Sequence, residues 1–254
     1  MAPPFYAVIS GVGSGTGAAL ARRFAQSYAV VLLSRKPSSY EPIVADIKAA
    51  GGTAIGITAD ATDPAATDAA FAQIAKELPG AKLAAAVYNG GSGIARKPFL
   101  ELTLENLDVS LQGAACTHEI TNSKGLFIFA QKTLPLLVDA VDSSPNPPSL
   151  LVTGATASVR GSAFFSTFAA GKFAQRALTQ SLAREYGPKG VHVALAVIDG
   201  GIDTPWGKGT VFNNGVEDGK ISPDAIAESY WHLHSQHRSA FTQELDIRPY
   251  VEKF

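Results

Sequence analysis

Six short apolar segments alternate with longer segments of helical pattern, and this alternation constrains the fold of the 254-residue chain more than any other feature. Continuous apolar runs joined by helix-length connections are typical of a parallel sheet that helices cover on both faces. The sequence therefore predicts an α/β fold, a single doubly wound parallel sheet with helices on both faces. The six segments are FYAVIS (5–10), AVVLLS (29–34), TAIGITA (53–59), KLAAAVY (82–88), PSLLVTG (148–154) and VHVALAVI (191–198).

Capping residues indicate where several of the helices begin. One helical segment starts at a glycine-rich turn, and two others start where Asp63 and Ser222 each precede a proline, as an N-cap precedes the first helical residue. The Pro- and Ser-rich segment 142–149 is predicted as a surface connection, because the strand after it is needed to complete the sheet. We therefore expect residues 1–254 to form one domain.

Composition and charge exclude several classes of function. The chain is 46% hydrophobic and 17% charged, which is typical of a globular protein with a large core. Its net charge of -1 provides no basic surface for a nucleic acid, and its single cysteine, Cys116, allows neither an intrachain disulfide nor a multi-cysteine metal site. Neither a secretion signal nor a membrane span is predicted. We expect a cytoplasmic protein without a metal that binds a small-molecule substrate, but no nucleic acid and no membrane.

A glycine-rich segment, SGVGSGTG (10–17), lies between the first predicted strand and the first predicted helix. Glycines let the backbone approach a pyrophosphate, and the helix N-terminus supplies unpaired N–H groups and a partial positive charge. A tight turn without a ligand is the alternative interpretation, because a glycine pattern alone is weak evidence. The residues predicted to bind a dinucleotide are Gly11, Gly13, Ser14, Gly15, Thr16 and Gly17.

The spacing of Gly11, Gly15 and Gly17 resembles the short-chain dehydrogenase/reductase family, whose loop reads Thr-Gly-x-x-x-Gly-x-Gly. TADATD (58–63), YNGG (88–91) and IDGGIDTP (198–205) resemble further family motifs in the family's order, with Asp199 in place of a Pro. The resemblance covers about residues 5–205 and implies a Rossmann-type fold that binds NAD(P). Asp60 is expected beside the adenine and Thr204 at the nicotinamide carboxamide. The further positions expected to bind the cofactor are Asp60, Ala61, Asn89, Gly90, Gly200, Ile202 and Thr204.

The residues after the second strand indicate which nicotinamide cofactor is preferred. Relatives that prefer NAD usually have an Asp at the position of Ser34, where it binds the adenosine ribose hydroxyls. Here Ser34 is followed by Arg35 and Lys36, whose planar guanidinium and ammonium groups suit a 2′-phosphate. We therefore expect NADP(H), with NAD less favoured. The alternative interpretation is a solvated Arg-Lys pair on a loop.

The resemblance also locates the catalytic positions, and two of them have lost a hydroxyl. In the family a Tyr and a Lys four residues later share one helix face, and the ammonium lowers the pKa of the phenol that protonates the substrate. Lys172 matches that Lys and is also expected to bond the nicotinamide ribose, but Phe168 occupies the Tyr position. Ala155 occupies the position of the Ser that holds the substrate oxygen, and Thr156 or Ser158 could replace it if the loop shifts by a residue.

Other groups near the missing hydroxyls are weaker replacements. Ser166 and Thr167 point away from the helix face that Phe168 shares with Lys172, so neither is expected to donate a proton directly. General acid catalysis is typically worth roughly 3 to 5.5 kcal/mol, whereas positioning of the reactants is worth about 7 to 11 kcal/mol. A slow reductase that takes its proton from water is therefore consistent with the sequence.

The family's fourth catalytic residue is an Asn in the motif Asn-x-x-Gly on the next long helix. Asn122 and Gly125 match it, whereas SLQG (110–113) resembles it with Ser in place of Asn. We prefer Asn122, because the sequence after Gly125 continues as the family's helix does. This assignment predicts Asn122 near Lys172, Ser110 far from it, and an insertion of roughly ten residues around LQGAACTHEI.

Three functions remain open at this point. The first is an NADP(H)-dependent oxidoreductase that acts on a small carbonyl or alcohol, and the second is a cofactor-binding protein with a sensing or assembly role. The third keeps the fold but performs a lyase or isomerase step. The family commonly forms oligomers through its two long helices, and the apolar faces of 125–138 and 168–183 are compatible with a homodimer or homotetramer.

Overall fold

A computed structural model describes residues 4–90, 95–111 and 123–253 of the chain. Within these residues there are seven strands: β1 Phe5–Ser10, β2 Ala29–Ser34, β3 Ala54–Thr58, β4 Lys82–Tyr88, β5 Ser149–Thr153, β6 His192–Ile198 and β7 Glu244–Ile247. They form one parallel sheet in the order β3-β2-β1-β4-β5-β6-β7. The doubly wound parallel sheet predicted from the sequence is thereby confirmed.

Helices cover both faces of the sheet, because successive strand residues point to opposite sides and both sides are apolar. The helices are α1 Thr16–Ala25, α2 Pro37–Ala49, α3 Pro64–Glu77, α4 Leu104–Leu111, α5 Ser123–Ala140, α6 Ser166–Tyr186 and α7 Pro223–His234. Ile9 packs with α1, α2 and α7 on one face, and Val8 packs with α3, α5 and α6 on the other. No helix among the described residues is both long enough and apolar enough to cross a membrane.

Both helix starts predicted from a cap followed by proline are confirmed. The Asp63 carboxylate accepts a hydrogen bond from the Ala65 backbone N–H at 2.9 Å, and α3 begins at the intervening proline. The Ser222 hydroxyl accepts one from the Ala225 N–H at 3.4 Å at the start of α7. Each side chain satisfies a backbone donor that the first turn of a helix leaves unpaired.

The seventh strand was not predicted, and the count of six is corrected by the structure. Glu244–Ile247 pairs in parallel with residues 195–198 of β6 and forms one edge of the sheet. The strand is only four residues long and includes two carboxylates, so it lacks the apolar run by which the other strands were recognised. An edge strand tolerates such residues, because one of its sides faces no partner strand.

The order of the strands reverses between β1 and β4, and this places a crevice at their carboxyl ends. The chain continues from β1 towards β2 and β3 on one side, and from β4 towards β7 on the other. Gly11 follows β1 with a φ of +83°, and a Cβ added to it would lie 2.4 Å from the Asn89 carbonyl oxygen after β4. Only glycine fits this contact, and ligands of open α/β sheets bind in such crevices.

Candidate active site

Two cavities open at the carboxyl ends of the strands and share four lining residues. The larger, about 590 Å³, lies between the glycine loop and the N-terminal half of α6, and the smaller, about 340 Å³, lies beyond β2 and β3. Every cofactor-binding and catalytic residue predicted from the sequence lines one of them, except Asn122, which lies outside the described residues. The shared residues are Gly11, Gly13, Asn89 and Gly90.

The glycine loop leaves backbone groups open to the larger cavity. A Cβ added to Gly13 would meet no atom within 4 Å, so this residue faces open space. A Cβ on Gly17 would lie 2.9 Å from the Cα of Val12, which explains why the helix can begin so close to the loop only with glycine there. The N-cap of α1, Gly15, provides no side-chain cap, and the first turn contains no acidic residue. The unpaired N–H groups of that turn suit a pyrophosphate.

Thr204 provides a second, independent indication of a ligand. Its side chain lines the larger cavity beside Ile202 and Gly200 and is almost fully buried. Its hydroxyl finds no hydrogen-bond partner among the described residues. Buried polar groups normally have a partner, so the hydroxyl is placed to bond a group that enters the cavity. The residues present therefore fit a nicotinamide dinucleotide.

The smaller cavity combines one fixed carboxylate with basic residues. Asp60 accepts hydrogen bonds from the Thr62 backbone N–H at 2.9 Å and from the Thr62 hydroxyl at 2.8 Å, which fix its carboxylate at the cavity wall. Arg35 and Lys36 line the same cavity beside Ser34, where NAD-preferring relatives have an acid. The end of β2 has no carboxylate that would repel a phosphate at this place.

A chain of side-chain hydrogen bonds joins the glycine loop to the core and was not predicted from the sequence. The Asn89 amide donates to the Gly11 carbonyl at 3.0 Å and accepts from the Thr153 hydroxyl at 3.0 Å. The Tyr230 hydroxyl lies 2.7 Å from that of Thr153. The single hydroxyl proton of Thr153 is donated to Asn89, so the Tyr230 hydroxyl is the donor in its hydrogen bond with Thr153. Burial raises the pKa of Tyr230, so this phenol stays protonated.

Lys172 is buried in the wall of the larger cavity among neutral oxygens. Its ammonium donates to the Thr153 carbonyl at 3.0 Å, to the Gln175 side-chain oxygen at 3.0 Å and to the Gly90 carbonyl at 3.5 Å. The described residues offer it no ion pair, and only 3% of the residue is exposed. Burial without a counter-charge lowers the pKa of Lys172 to about 7.

The groups around the missing hydroxyls differ in how they face the cavity. Phe168 and Ala155 line the cavity with Lys172, and neither has a proton to donate. Thr156 also lines the cavity, and its hydroxyl donates to the Asp199 carboxylate at 2.5 Å. Ser158 is fully buried outside the cavity lining, where its hydroxyl accepts from the Ala155 backbone N–H at 3.1 Å. Thr156 is thus the better placed of the two predicted replacements for the family's Ser.

The fourth catalytic position remains a prediction, because Asn122 lies outside the described residues. The structure does show where Ser110, the alternative residue, lies. Ser110 is buried, and its hydroxyl donates to the Thr167 carbonyl of α6 at 2.6 Å. Ser110 therefore packs against the helix that carries Phe168 and Lys172. The expectation that Asn122 lies nearer to Lys172 than Ser110 does stays a prediction. The motif SLQG stays open as the alternative to the one at Asn122.

Comparison with known proteins identifies relatives of the whole fold. The chain is 31% identical over 205 residues to the 2,5-dichloro-2,5-cyclohexadiene-1,4-diol dehydrogenase of Sphingobium indicum, covering 78% of this chain and 73% of that one. Its structure is similar to a short-chain dehydrogenase from Rhodopseudomonas palustris, with a TM-score of 0.76, 30% identity and coverage of 96% and 99% of the two chains. A metagenomic short-chain oxidoreductase solved with NADP shares the fold, with a TM-score of 0.77, 22% identity and 98% of each chain covered. The model of the family described as short chain dehydrogenase matches residues 6–212, and the chain belongs to this family.

Proposed function

We propose that the protein is an NADP(H)-dependent oxidoreductase that interconverts a small alcohol and its carbonyl compound. One observation carries the proposal: the glycine loop, Thr204 and Lys172 face a single cavity of about 590 Å³. That volume is in the range of small-molecule sites and leaves room for a substrate beside a nicotinamide. Membership of the short-chain dehydrogenase family supports an oxidoreductase.

Different residues would bind different parts of the cofactor. A nicotinamide, when bound, supplies or accepts the hydride. The backbone N–H groups at Gly15 and Thr16 would hold the pyrophosphate, the Thr204 hydroxyl the carboxamide, and the Lys172 ammonium a ribose hydroxyl. Arg35 and Lys36 would bind a 2′-phosphate, which favours NADP(H) over NAD(H).

The wall of the cavity suggests the kind of substrate. Phe165, Phe168 and Trp206 line it, and they present apolar surface at the end where the substrate would lie. An apolar carbonyl or alcohol compound fits such a wall better than a charged one. Positioning of the hydride donor and the carbonyl is typically worth about 7 to 11 kcal/mol, which exceeds the roughly 3 to 5.5 kcal/mol lost with a proton donor. The site would therefore still catalyse the interconversion of alcohol and carbonyl compound, at a reduced rate.

A second function is favoured by a different observation. Phe168 and Ala155 remove two hydroxyls from the wall that faces the substrate, as expected if the protein binds NADP(H) for sensing or assembly. Apolar side chains on α5 and α6 stay exposed and would support a homodimer or homotetramer: Phe127, Leu136 and Phe173.

One experiment separates the two functions. NADPH and NADH are titrated against the protein by calorimetry, and NADPH consumption is then followed with a panel of ketones and aldehydes. Tight NADPH binding with turnover supports the oxidoreductase, whereas binding without turnover supports the sensing or assembly role. Failure to bind either cofactor would contradict both, and sedimentation equilibrium tests the oligomer.

A further inference from the structure

We propose that Asp199 takes the proton of the substrate alcohol through the hydroxyl of Thr156, in place of the phenol that Phe168 lacks. Resting on the oxidoreductase function proposed above, this inference adds the route of the proton. Asp199 entered the sequence analysis only as a departure from the family's Pro. The structure places it behind the wall of the cavity, in contact with Thr156.

The two side chains meet because their strands are neighbours. Thr156 follows β5 and Asp199 follows β6, and β5 and β6 pair in parallel, so both residues emerge at the same edge of the sheet. The Thr156 hydroxyl oxygen lies 2.5 Å from the Asp199 Oδ1. The Asp199 backbone N–H donates to the Ile247 carbonyl at 2.8 Å, which fixes the residue against β7. Asp199 is only 4% exposed, so the cavity reaches its carboxylate by way of Thr156.

The charge of the buried carboxylate is balanced from the side away from the cavity. Arg248 follows β7, and its guanidinium lies 3.5 Å from the Asp199 Oδ2. A buried carboxylate persists as an anion only with such a partner. Arg248 also pairs with Asp246 and interacts with Glu252, and Lys172 lies in the wall of the same cavity. The Asp199 Oδ2 thus faces a cation, and Oδ1 is left to accept the proton of Thr156.

This arrangement gives the Thr156 hydroxyl a fixed direction. An ionised carboxylate can only accept, so Thr156 donates its single proton to Asp199 and presents its oxygen lone pairs elsewhere. A substrate hydroxyl in the cavity can then donate to the Thr156 oxygen. The other hydroxyls of that wall are placed differently. Thr153 donates to Asn89, and Thr204 has no partner among the described residues.

The step balances with the cofactor of the proposed function. The O–H bond of the substrate alcohol breaks, its proton passes to the Thr156 oxygen, and the proton of Thr156 passes to the Asp199 Oδ1. The carbinol C–H bond breaks at the same time, and its electron pair leaves with the hydrogen as hydride to the oxidised nicotinamide. The products are the carbonyl compound, the reduced cofactor and a protonated Asp199. In the direction of reduction, protonated Asp199 returns the proton through Thr156.

Four variants test the route, with the oxidation of cyclohexanol, 2-butanol and 1-phenylethanol by NADP⁺ as the assay. Asp199→Asn removes the ionisable group at constant shape, and Thr156→Val removes the hydroxyl at nearly constant shape. Both are expected to lower kcat by about 10²-fold, as for loss of a general base. Thr156→Ser keeps the hydroxyl and should stay within a few-fold of wild type. Asp142→Asn, which changes an exposed carboxylate in the turn after α5 and outside the cavity, is the matched control and should match wild type.

Two further measurements distinguish a proton route from a structural role. The loss in Asp199→Asn and Thr156→Val should fall on kcat and leave KM for the alcohol within a few-fold of wild type. The Kd for NADP⁺, measured by calorimetry, should be the same in all variants. If circular dichroism shows that Asp199→Asn is unfolded, the test rests on Thr156→Val, which leaves the Asp199–Arg248 pair in place.

Each outcome decides between the inferences. Wild-type kcat in Asp199→Asn would overturn the role of Asp199, while the oxidoreductase function would stand. Loss of activity in Asp199→Asn with full activity in Thr156→Val would overturn the route through Thr156. A wild-type protein that binds NADP⁺ but neither oxidises these alcohols nor reduces the ketone and aldehyde panel would overturn the oxidoreductase function and this proposal with it.

Discussion

The buried ammonium of Lys172 makes the stability of the protein depend on pH, and Lys172→Met is the substitution that shows it. Burial lowers the pKa of Lys172 from 10.5 to about 7 in the folded state. At about 1.4 kcal/mol per pH unit, this difference amounts to about 5 kcal/mol between the charged and the neutral folded forms. Methionine has a similar length and no charge, so it removes the cost of burying the ammonium.

The sign follows from proton binding. Between pH 7 and 10.5 the unfolded chain keeps the proton that folded Lys172 has lost, so the free energy of unfolding of wild type rises with pH in this window. Below pH 7 Lys172 is protonated in both the folded and the unfolded state, and burial of the ammonium destabilises the folded state by the full amount, about 5 kcal/mol. Lys172→Met also leaves the Thr153 and Gln175 oxygens without a donor, a loss of about 1 to 3 kcal/mol per group that does not change with pH.

The assay is urea unfolding of wild type and Lys172→Met at pH values from 6 to 10, followed by tryptophan fluorescence. The unfolding free energy of the variant minus that of wild type should be largest at pH 6 and fall by about 1.4 kcal/mol per pH unit above pH 7. Lys48→Met, which removes an exposed lysine on α2, is the matched control and should give a difference that stays flat with pH. A flat difference for Lys172→Met as well would refute the reasoning, because the folded ammonium would then titrate as in the unfolded chain.

Three further predictions concern the cofactor, the missing phenol and the crowded turn after β4. Arg35→Ala should weaken NADPH binding by about 10- to 100-fold in calorimetry and leave NADH unaffected, and equal losses for both would contradict a 2′-phosphate contact. Phe168→Tyr should raise carbonyl reduction by up to about 10²-fold, because it adds a phenol beside Lys172 to the proposed route through Thr156, and adding Ala155→Ser should raise it further; a variant no faster than wild type would mean that the new phenol does not act as a proton donor. Gly90→Ala introduces a Cβ 2.7 Å from the Tyr88 ring and should cost roughly 1 to 3 kcal/mol in urea unfolding. In a Tyr88→Leu background the same Gly90→Ala change should cost much less, and an equal cost there would contradict the steric cause.

Elements with a strong local signal could be predicted from the sequence. The apolar runs of six strands, the caps at Asp63 and Ser222 and the glycine loop each depend on residues that are neighbours in the chain. These local signals also predicted which residues line the candidate site, because motifs that follow parallel strands must meet at one edge of the sheet. The edge strand Glu244–Ile247 was missed, since its residues are only partly buried and do not form an apolar run, and they are recognised as a strand only by their pairing with β6.

What the sequence by itself determined is therefore the order of strands and helices along the chain and the set of motifs after the strands. Which side chains touch was decided only by the tertiary structure. Thr153 reaches Tyr230 across 77 positions of sequence, and Thr156 reaches Asp199 across 43, because strand pairing and helix packing bring distant segments within hydrogen-bond distance. The lowered pKa of Lys172 has the same origin, since burial by residues from several elements removes water that no local sequence pattern could report.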